Sequence, residues 1–285
     1  MKKTIRNVLD DGIKTLSKND VLDARIDANL LLEHVLQVDK IYTLVNGNEL
    51  LSDEDYDRYN NLINIRAKGK PLQYIIGYQE FMGLTFKVDR NVLIPRQDTE
   101  ILVIEAIKYI KENDITSILE IGTGTGCIPI SICCDCQNVH ATTVDISSEA
   151  IDIAKHNAII NDVDDRIQFI QSNLFENIDE GIEFQLFISN PPYIRSSDID
   201  GLMKEVKEYE PIKALDGGID GLYFYREISR QIKNRTKKRS YVLYEVGYDQ
   251  GIDVKNILEA LGYDDIRIYK DLAGINRVVA GAYNK

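Results

Sequence analysis

Residues 190–193, Asn190-Pro191-Pro192-Tyr193, could hold a flat nitrogen group. They follow an apolar run that predicts a buried strand, and two prolines predict a stiff turn at the carboxyl end of that strand. The Asn190 amide and the neighbouring backbone carbonyls can accept both hydrogens of a planar –NH2 group, and the Tyr193 ring can stack on it. A rigid turn without chemistry is the alternative. The motif gains weight only if a cofactor site lies at the neighbouring strand ends.

A glycine-rich turn, Gly-Thr-Gly-Thr-Gly at residues 122–126, follows a predicted strand at residues 117–121. Its glycines permit a tight turn and close approach of a ligand, beside a helix that begins near Cys127. Cys127 stands where the dinucleotide fingerprint requires its third glycine, so the spacing departs from the NAD pattern. The turn favours some other adenosine-containing cofactor.

Two further predicted strands end in polar residues. Asp145 ends the second strand of this part of the chain, where a carboxylate can accept hydrogen bonds from both ribose hydroxyls. The alternative is that Asp145 caps the following helix. After the third strand, Asn173 could donate a hydrogen bond to an adenine and Leu174 could offer it an apolar face.

The N-terminal quarter of the chain has the apolar spacing of amphipathic helices. Asn19 or Asp20 is expected to cap the second helix, and Ser52 with Asp55 has the pattern of a capping box that opens the fourth. Residues 72–90 then predict two short strands about a glycine turn, with the first strand starting at Tyr74.

The remainder alternates strands and helices, which indicates a parallel α/β sheet. Asp98 or Thr99 is expected to cap the helix before the first strand, and the preceding Arg96 could reach a carboxylate or stay solvated. The last predicted strands lie at residues 240–247, 264–270 and 276–283.

The composition argues against nucleic-acid-binding, membrane-spanning, secreted and zinc-binding proteins. The 285 residues carry a net charge of −12, which argues against a broad phosphate-binding surface for nucleic acid. The sequence has no apolar run long enough to span a bilayer and no signal peptide, so a cytoplasmic location is expected. The four cysteines lack paired metal-ligand spacing and are expected to be small, buried, reduced residues rather than a zinc site. No metal is predicted.

The four strand ends together resemble the class I S-adenosylmethionine-dependent methyltransferases. Several other stretches are similar to one family in the right order along nearly the whole chain, namely residues 27–32, 71–77, 94–100, 209–226 and 271–279. The family is HemK/PrmC, the protein-(glutamine-N5) methyltransferases that modify peptide chain release factors.

The resemblance implies an α/β fold with a Rossmann-like, mostly parallel seven-stranded sheet. It also implies three parts: a helical substrate-recognition domain (residues 1–73), a β-hairpin linker (74–90) and an S-adenosylmethionine-dependent methyltransferase domain (91–285). The implied substrate is the glutamine of the Gly-Gly-Gln motif in release factors, and the implied product of the cofactor is S-adenosyl-L-homocysteine. A monomer without membrane or direct nucleic-acid partners is expected.

The predicted site has a catalytic and a cofactor-binding part. The catalytic residues are Asn190, Pro191, Pro192 and Tyr193. The cofactor-binding residues are Glu120, Gly122, Thr123, Gly124, Thr125, Gly126, Asp145, Ile146, Asn173, Leu174 and again Asn190. Members of the family often carry an acid in place of Asn173, although an amide can still form a hydrogen bond.

Two alternatives remain at this point. An adenine-N6 methyltransferase of DNA or RNA shares the Asn-Pro-Pro-Tyr motif, but it predicts a basic face and a target-recognition domain. A non-catalytic cofactor-binding or interaction protein predicts the loss of Asn190 or Asp145, and both residues are present.

Overall fold

A computed structural model describes residues 3–285, which divide into two units. The first unit contains the chain up to Gly77 together with Met203–Tyr209. The second contains Tyr78–Leu202 and Glu210–Lys285. The segment Met203–Tyr209 therefore interrupts the second unit in sequence but belongs to the first.

The helices and strands follow one another in an order that changes character after the first unit. The helices are α1 (Ile5–Lys18), α2 (Ala24–Leu36), α3 (Lys40–Val45), α4 (Asp53–Ala67), α5 (Leu72–Ile76), α6 (Gln97–Glu112), α7 (Cys127–Asp135), α8 (Ser148–Ile160), α9 (Lys204–Tyr209), α10 (Tyr223–Ile232) and α11 (Gly251–Ala260). The strands are β1 (Tyr78–Phe81), β2 (Leu84–Lys87), β3 (Ser117–Ile121), β4 (His140–Asp145), β5 (Ile167–Gln171), β6 (Phe184–Ser189), β7 (Thr236–Glu245), β8 (Asp264–Lys270) and β9 (Asn276–Asn284).

The first unit is held together by one apolar cluster and one buried ion pair. Leu16, Leu31 and Tyr59 are fully buried where α1, α2 and α4 meet. Arg66 on α4 donates from Nε to Asp27 Oδ2 of α2 at 2.6 Å. Its Nη2 lies 2.9 Å from Glu205 Oε2, so the same guanidinium also holds α9.

The second unit is built on a seven-stranded sheet in the order β5-β4-β3-β6-β7-β9-β8. The first five strands run parallel, and β9 runs antiparallel to both of its neighbours. Successive side chains of a strand point to opposite faces, so Ile118 and Leu119 enter separate cores on the two sides of the sheet. The predicted mostly parallel seven-stranded sheet is confirmed.

One buried asparagine of α8 links the two-stranded hairpin to the glycine-rich turn. Asn157 of α8 is fully buried. Its Oδ1 accepts from the Lys87 backbone N–H at 2.7 Å, and its Nδ2 donates to the carbonyls of Lys87 at 3.1 Å and Thr125 at 2.9 Å. The residue thereby joins β2, α8 and the turn.

The first strand of the hairpin was predicted too early. Residues 74–76 belong to the one-turn helix α5, and the strand begins at Tyr78. Leu72 of α5 is buried in the core of the first unit, and Gly77 ends the helix in a left-handed conformation with φ +89°. Burial of an apolar helix face has overridden the strand propensity of the isoleucines.

Two predicted helix caps are also wrong. α2 begins after Asp23, because Asn19 instead ends α1 by donating its N–H to Leu16, and Asp20 adopts a left-handed φ of +56°. α6 begins after Arg96, which places the predicted caps Asp98 and Thr99 inside its first turn. The predicted N-cap role of Ser52 in α4 is confirmed, since Ser52 Oγ accepts from the Asp55 N–H at 3.0 Å, while the Asp55 carboxylate accepts from the Ser52 hydroxyl at 2.7 Å.

The cysteines do not form the uniformly buried set that was expected. Cys133 and Cys136 are buried, Cys127 is partly buried and Cys134 is exposed. The prediction is therefore wrong for Cys134, which lies on the solvent side near the end of α7.

Candidate active site

One cavity of about 870 Å³ opens at the carboxyl ends of β3, β4, β5 and β6. Parallel strands bring their carboxyl ends to the same edge of a sheet, which is why residues distant in sequence meet here. The predicted residues that line it are Glu120, Gly122, Thr123, Gly124, Thr125, Asp145, Ile146, Asn173, Leu174, Asn190, Pro191 and Pro192. Gly126 and Tyr193 lie outside the lining.

The glycine-rich turn needs its glycines for two different reasons. Gly122 and Gly124 have φ of +91° and +52°, and a Cβ added to Gly124 would meet no atom within 4 Å. That open space leaves room for a ligand against the backbone. A Cβ on Gly126 would lie 3.0 Å from Ile130 Cδ1 and 3.1 Å from Ala154 Cβ, so Gly126 serves the packing of α7 against α8.

Glu120 lies at the floor of the cavity with an unsatisfied oxygen. Its side chain is buried, Oε2 accepts a short hydrogen bond from the Thr143 hydroxyl, and Oε1 has no hydrogen-bond partner among residues 3–285. Burial raises the pKa of Glu120 well above its usual range. A buried oxygen without a partner beside a cavity suits a ligand that brings a cationic donor.

Asp145 closes the next strand and is held by the backbone around it. Oδ2 accepts from the Gly124 N–H and Oδ1 from the Ser147 N–H, both at 2.9 Å. Burial raises the pKa of Asp145, and these N–H donors oppose that rise. α8 is capped by Ser147, whose hydroxyl accepts from Ala150 N–H, so the alternative that Asp145 is the cap is wrong.

The third strand end supplies a polar and an apolar group. Asn173 Nδ2 donates to Glu176 Oε1 at 2.7 Å, which leaves its Oδ1 to accept from another group. Leu174 has a left-handed φ of +50° and borders the cavity beside it. The pair fits a flat ring with an exocyclic amine. The second Nδ2 hydrogen of Asn173 is also available, so the role of Asn173 as a donor to adenine stays a prediction.

Asn190 faces the glycine-rich turn from the end of β6. The Ser189 hydroxyl donates to the Ile121 carbonyl at 2.6 Å, which ties the ends of β6 and β3 together. A Cβ on Gly122 would lie 3.9 Å from the Asn190 carbonyl oxygen. The Asn190 side chain donates from Nδ2 to Thr99 Oγ1 of α6 at 3.3 Å.

Tyr193, the last residue of the motif, does not line the cavity. Its half-buried ring lies against the core that contains Tyr225, and burial raises the pKa of Tyr193 to about 12. Its carbonyl accepts from Gln250 Nε2 at 2.9 Å. Contact between this ring and a substrate amide stays a prediction.

The turn at residues 216–218 supports the motif from behind. Ile194 and Asp216 form a parallel β-bridge, and the Gly217 N–H donates to the Ile194 carbonyl at 2.8 Å. A Cβ on Gly217 would lie 2.7 Å from both the Pro192 carbonyl oxygen and Tyr193 Cα. The backbone of the turn therefore sits directly against the backbone of the motif.

Sequence reasoning missed two walls of the cavity. One is the segment 90–99, which includes Arg96, and the other is the segment 211–216, which includes Lys213. Arg96 forms an ion pair with the buried Glu210. Of the two alternatives that the sequence left open for Arg96, a carboxylate partner is therefore the correct one. The only earlier signal for these walls was the resemblance of residues 94–100 and 209–226 to one family.

Cys127 is a further lining residue that was not predicted. Burial raises the pKa of its thiol to about 12, so the sulfur stays protonated and is not a poised nucleophile.

Within the described part of the chain, no three His, Cys, Asp or Glu side chains gather as a metal site would require. None of the helices between residues 3 and 285 has the length and apolarity of a membrane span.

The sequence matches two described families. Residues 7–77 match the PrmC N-terminal domain, and residues 99–206 match the methyltransferase small domain. A release factor glutamine methyltransferase from Clostridium botulinum is 39% identical over 276 residues, which cover 96% of this chain and 98% of that protein. The protein of that name from Clostridium acetobutylicum is 41% identical over 254 residues, or 89% of each chain.

Solved structures show the same fold at low identity. The hMettl16 catalytic domain, in complex with a MAT2A 3'UTR hairpin, aligns with a TM-score of 0.55 and 16% identity over 78% of this chain and 81% of that one. Together with the methyltransferase family match, the predicted class I methyltransferase fold is confirmed.

Proposed function

The chain belongs to the family of release factor glutamine methyltransferases, and we propose that it methylates the side-chain amide nitrogen of the glutamine in the Gly-Gly-Gln motif of peptide chain release factors. One observation carries the proposal. Asn190, Pro191 and Pro192 follow β6 and line a cavity whose lining also includes the glycine-rich turn and two carboxyl groups, Glu120 and Asp145. This arrangement suits a nitrogen held in line with a bound methyl donor.

The residues present fit S-adenosyl-L-methionine. Glu120 Oε1, buried and without a partner among the described residues, can accept from the ammonium of the donor's methionine part. Asp145 can accept from the ribose hydroxyls, because each of its oxygens has used only one lone pair. Asn173 and Leu174 can hold the adenine. When bound, the cofactor supplies an electrophilic methyl group and leaves as S-adenosyl-L-homocysteine.

The chain's own contribution to the reaction is to position a poor nucleophile. An amide nitrogen shares its lone pair with the carbonyl, so it attacks only when it is aimed. Asn190 Oδ1 and the carbonyl of Pro191 would accept its two hydrogens and direct the lone pair at the methyl carbon. Placement in line at about 3 Å supplies several kcal/mol of the barrier. With a methyl donor bound, the nitrogen–carbon bond would form as the donor's sulfur–carbon bond breaks, and the proton of the nitrogen would pass to water.

The finer features of the function are also part of this proposal. The predicted division at residues 73 and 90, with the helical part recognising the release factor, is retained as a proposal. So are a monomeric state and action in the cytoplasm, where release factors meet the ribosome.

Methyl transfer from labelled S-adenosylmethionine tests the function. Purified full-length protein is incubated with a release factor or, in parallel, with an adenine-containing DNA oligomer, and the products are mapped by mass spectrometry. One added methyl on the Gly-Gly-Gln glutamine is expected. Label in the oligomer would favour the adenine-N6 alternative, against which the net charge of −12 argues. A release factor that stays unmodified would overturn the proposal.

Asn190→Ala separates the role of this residue from that of the cofactor site. Loss of the acceptor should lower kcat by about 10²-fold or more, by analogy with the removal of one transition-state hydrogen bond. Isothermal titration should give a cofactor Kd close to that of the wild type. Asn234→Ala, at an exposed asparagine after α10, is the matched control. An equal loss of cofactor binding in Asn190→Ala would show that the role assigned to Asn190 is wrong.

A further inference from the structure

A buried carboxyl group that sequence reasoning did not single out lies behind Asn190. Glu245 ends β7, and the register of the neighbouring strands pairs Ser189 with Tyr244, so Asn190 and Glu245 come next to each other. Glu245 is only 3% exposed. The side chains of Thr99 and Asn190 favour its charged form, and its Oε2 has no hydrogen-bond partner within the described residues.

One hydrogen of the Asn190 amide is accounted for by Thr99. Nδ2 carries two hydrogens, and Thr99 Oγ1 accepts one of them at 3.3 Å. The Asn190 and Thr99 side chains act as donors that favour the charged form of Glu245 and oppose the rise of its pKa. With Nδ2 directed at Thr99 and the buried Glu245 beside the amide, Oδ1 is the atom left to accept from a group in the cavity, whose lining includes both Thr99 and Asn190 but not Glu245.

We propose that Glu245 is a positioning residue that fixes the orientation of the Asn190 amide, so that Oδ1 and not the –NH2 group meets the substrate. The inference rests on the proposed function, since it concerns how Asn190 accepts from a substrate –NH2 group. If the Asn190 amide were rotated by 180°, its –NH2 group would face the –NH2 group of the substrate, and two hydrogen-bond donors would meet. A buried carboxylate is costly and is often replaceable by an apolar residue without loss of stability, so structure alone does not account for it.

The orientation should depend on pH. Burial raises the pKa of Glu245 to about 7, with Thr99 and Asn190 opposing the rise as donors to the anion. Above this pH the carboxylate accepts from Asn190. Below it the group is protonated, has lost acceptor capacity and can donate its own O–H to Asn190 Oδ1, which turns the amide away from its working orientation. The other titratable or charged groups that face Glu245 are Asp98, Cys127, Tyr193, Tyr225 and Arg277.

Steady-state kinetics test the inference on the whole protein. For the wild type at saturating cofactor and release factor, kcat should fall about tenfold for each pH unit below about 7. Glu245→Gln keeps the volume of the side chain but cannot titrate. It should have a kcat lowered about 10- to 100-fold, an unchanged cofactor Kd and no acid limb near pH 7. Glu105→Gln, at a buried glutamate of α6 remote from the cavity lining, is the matched control and should keep both kcat and the acid limb.

A second readout does not need the substrate. In ¹⁵N-labelled wild-type protein, the side-chain –NH2 resonances of Asn190, assigned by their loss in Asn190→Ala, should shift with pH around 7 and stay fixed in Glu245→Gln. Resonances that do not titrate in the wild type, or an acid limb that persists in Glu245→Gln, would overturn the inference. If the wild type transfers no methyl group to the release factor, the proposed function fails, and the resonances alone decide whether Glu245 orients Asn190.

Discussion

At the scale of single residues, the candidate site depends on polar atoms that keep spare hydrogen-bonding capacity. Glu120 Oε1 has no partner within residues 3–285, and both oxygens of Asp145 are held by backbone N–H groups that fix the carboxylate without saturating it. Such groups are costly in an empty core and are repaid when a ligand arrives. In the proposed function the two carboxyl groups therefore serve cofactor binding, and Asn190 serves the transfer step.

Asp145→Ala should weaken cofactor binding. The change removes one or two charge-assisted hydrogen bonds of about 1.5–3 kcal/mol each, so the Kd for S-adenosylmethionine should rise about 10- to 100-fold, while kcat at saturating cofactor stays near the wild-type value. Isothermal titration measures the Kd. Asp152→Ala, at an exposed acid on α8, serves as the control. An unchanged Kd in Asp145→Ala would remove Asp145 from the cofactor site.

At the scale of elements, the motif after β6 takes its shape from a turn that is not part of the sheet. Ile194 and Asp216 pair as a β-bridge, and Gly217 leaves no room for a side chain between the turn and the backbone of residues 192–193. The prolines stiffen the motif along its own length, and the turn fixes it from the side. The backbone geometry of the motif is therefore fixed from two directions.

Gly217→Ala should disturb that geometry. The added methyl group would lie 2.7 Å from the Pro192 carbonyl oxygen, a backbone atom that can give way only if the motif moves. A displacement on the order of 1 Å costs about 10²-fold in rate, so kcat should fall by that order with a smaller change in cofactor Kd. Gly181→Ala, where a Cβ meets no atom within 4 Å, is the control for the same kinetic assay. Full activity in Gly217→Ala would contradict a supporting role for the turn.

The same scale explains which features could be predicted. Glu120, Asp145 and Asn190 lie at or next to the carboxyl ends of predicted strands, and parallel strands necessarily gather such ends at one edge. The positions of Thr99 and Glu245 depend on tertiary packing, because α6 must lie against the end of β7 before the two side chains meet Asn190. Sequence periodicity carries no information about that contact.

The predicted start of α2 was wrong for a related reason. Asn19, Asp20 and Asp23 are all chemically able to cap α2, and the choice between them was decided by the end of α1. The strand predicted from Tyr74 failed because burial of Leu72 favours a helical turn. Local propensities were nearly balanced at these places, so long-range contacts decided.

At the scale of the whole molecule, the chain is not two consecutive blocks. The segment Met203–Tyr209 leaves the second unit in sequence and belongs with the N-terminal helices. Arg66 ties the segment to the N-terminal helices, because one guanidinium contacts Asp27, Glu205 and the Lys70 carbonyl. Burial raises the pKa of Asp27, and Arg66 opposes that rise, so the guanidinium also keeps a buried carboxylate charged.

Arg66→Ala should destabilise the first unit and release the segment. Removing one partner of a buried ion pair typically costs about 3–5 kcal/mol, since Asp27 is left without its counter-ion. Hydrogen exchange of the full chain should show faster exchange of the amides of residues 204–209. Arg58→Ala on the same helix removes only an exposed pair with Asp55 and should cost less than about 1 kcal/mol. Equal protection of these amides in Arg66→Ala and the wild type would contradict the role of Arg66.

The position of Met203–Tyr209 in the sequence also affects how the two units can recombine with those of related proteins during evolution. A recombination event that replaced everything before Gly77 would import a foreign helical unit but keep the resident seven-residue insert, with Glu205 now facing a surface that had never been selected to receive it. Exchange of the first unit alone would therefore break the Arg66–Glu205 pair unless the new unit supplied a matching cation. The evolution of the two units is coupled through Met203–Tyr209. Substitutions at residues 27, 66 and 205 should therefore occur together in related proteins.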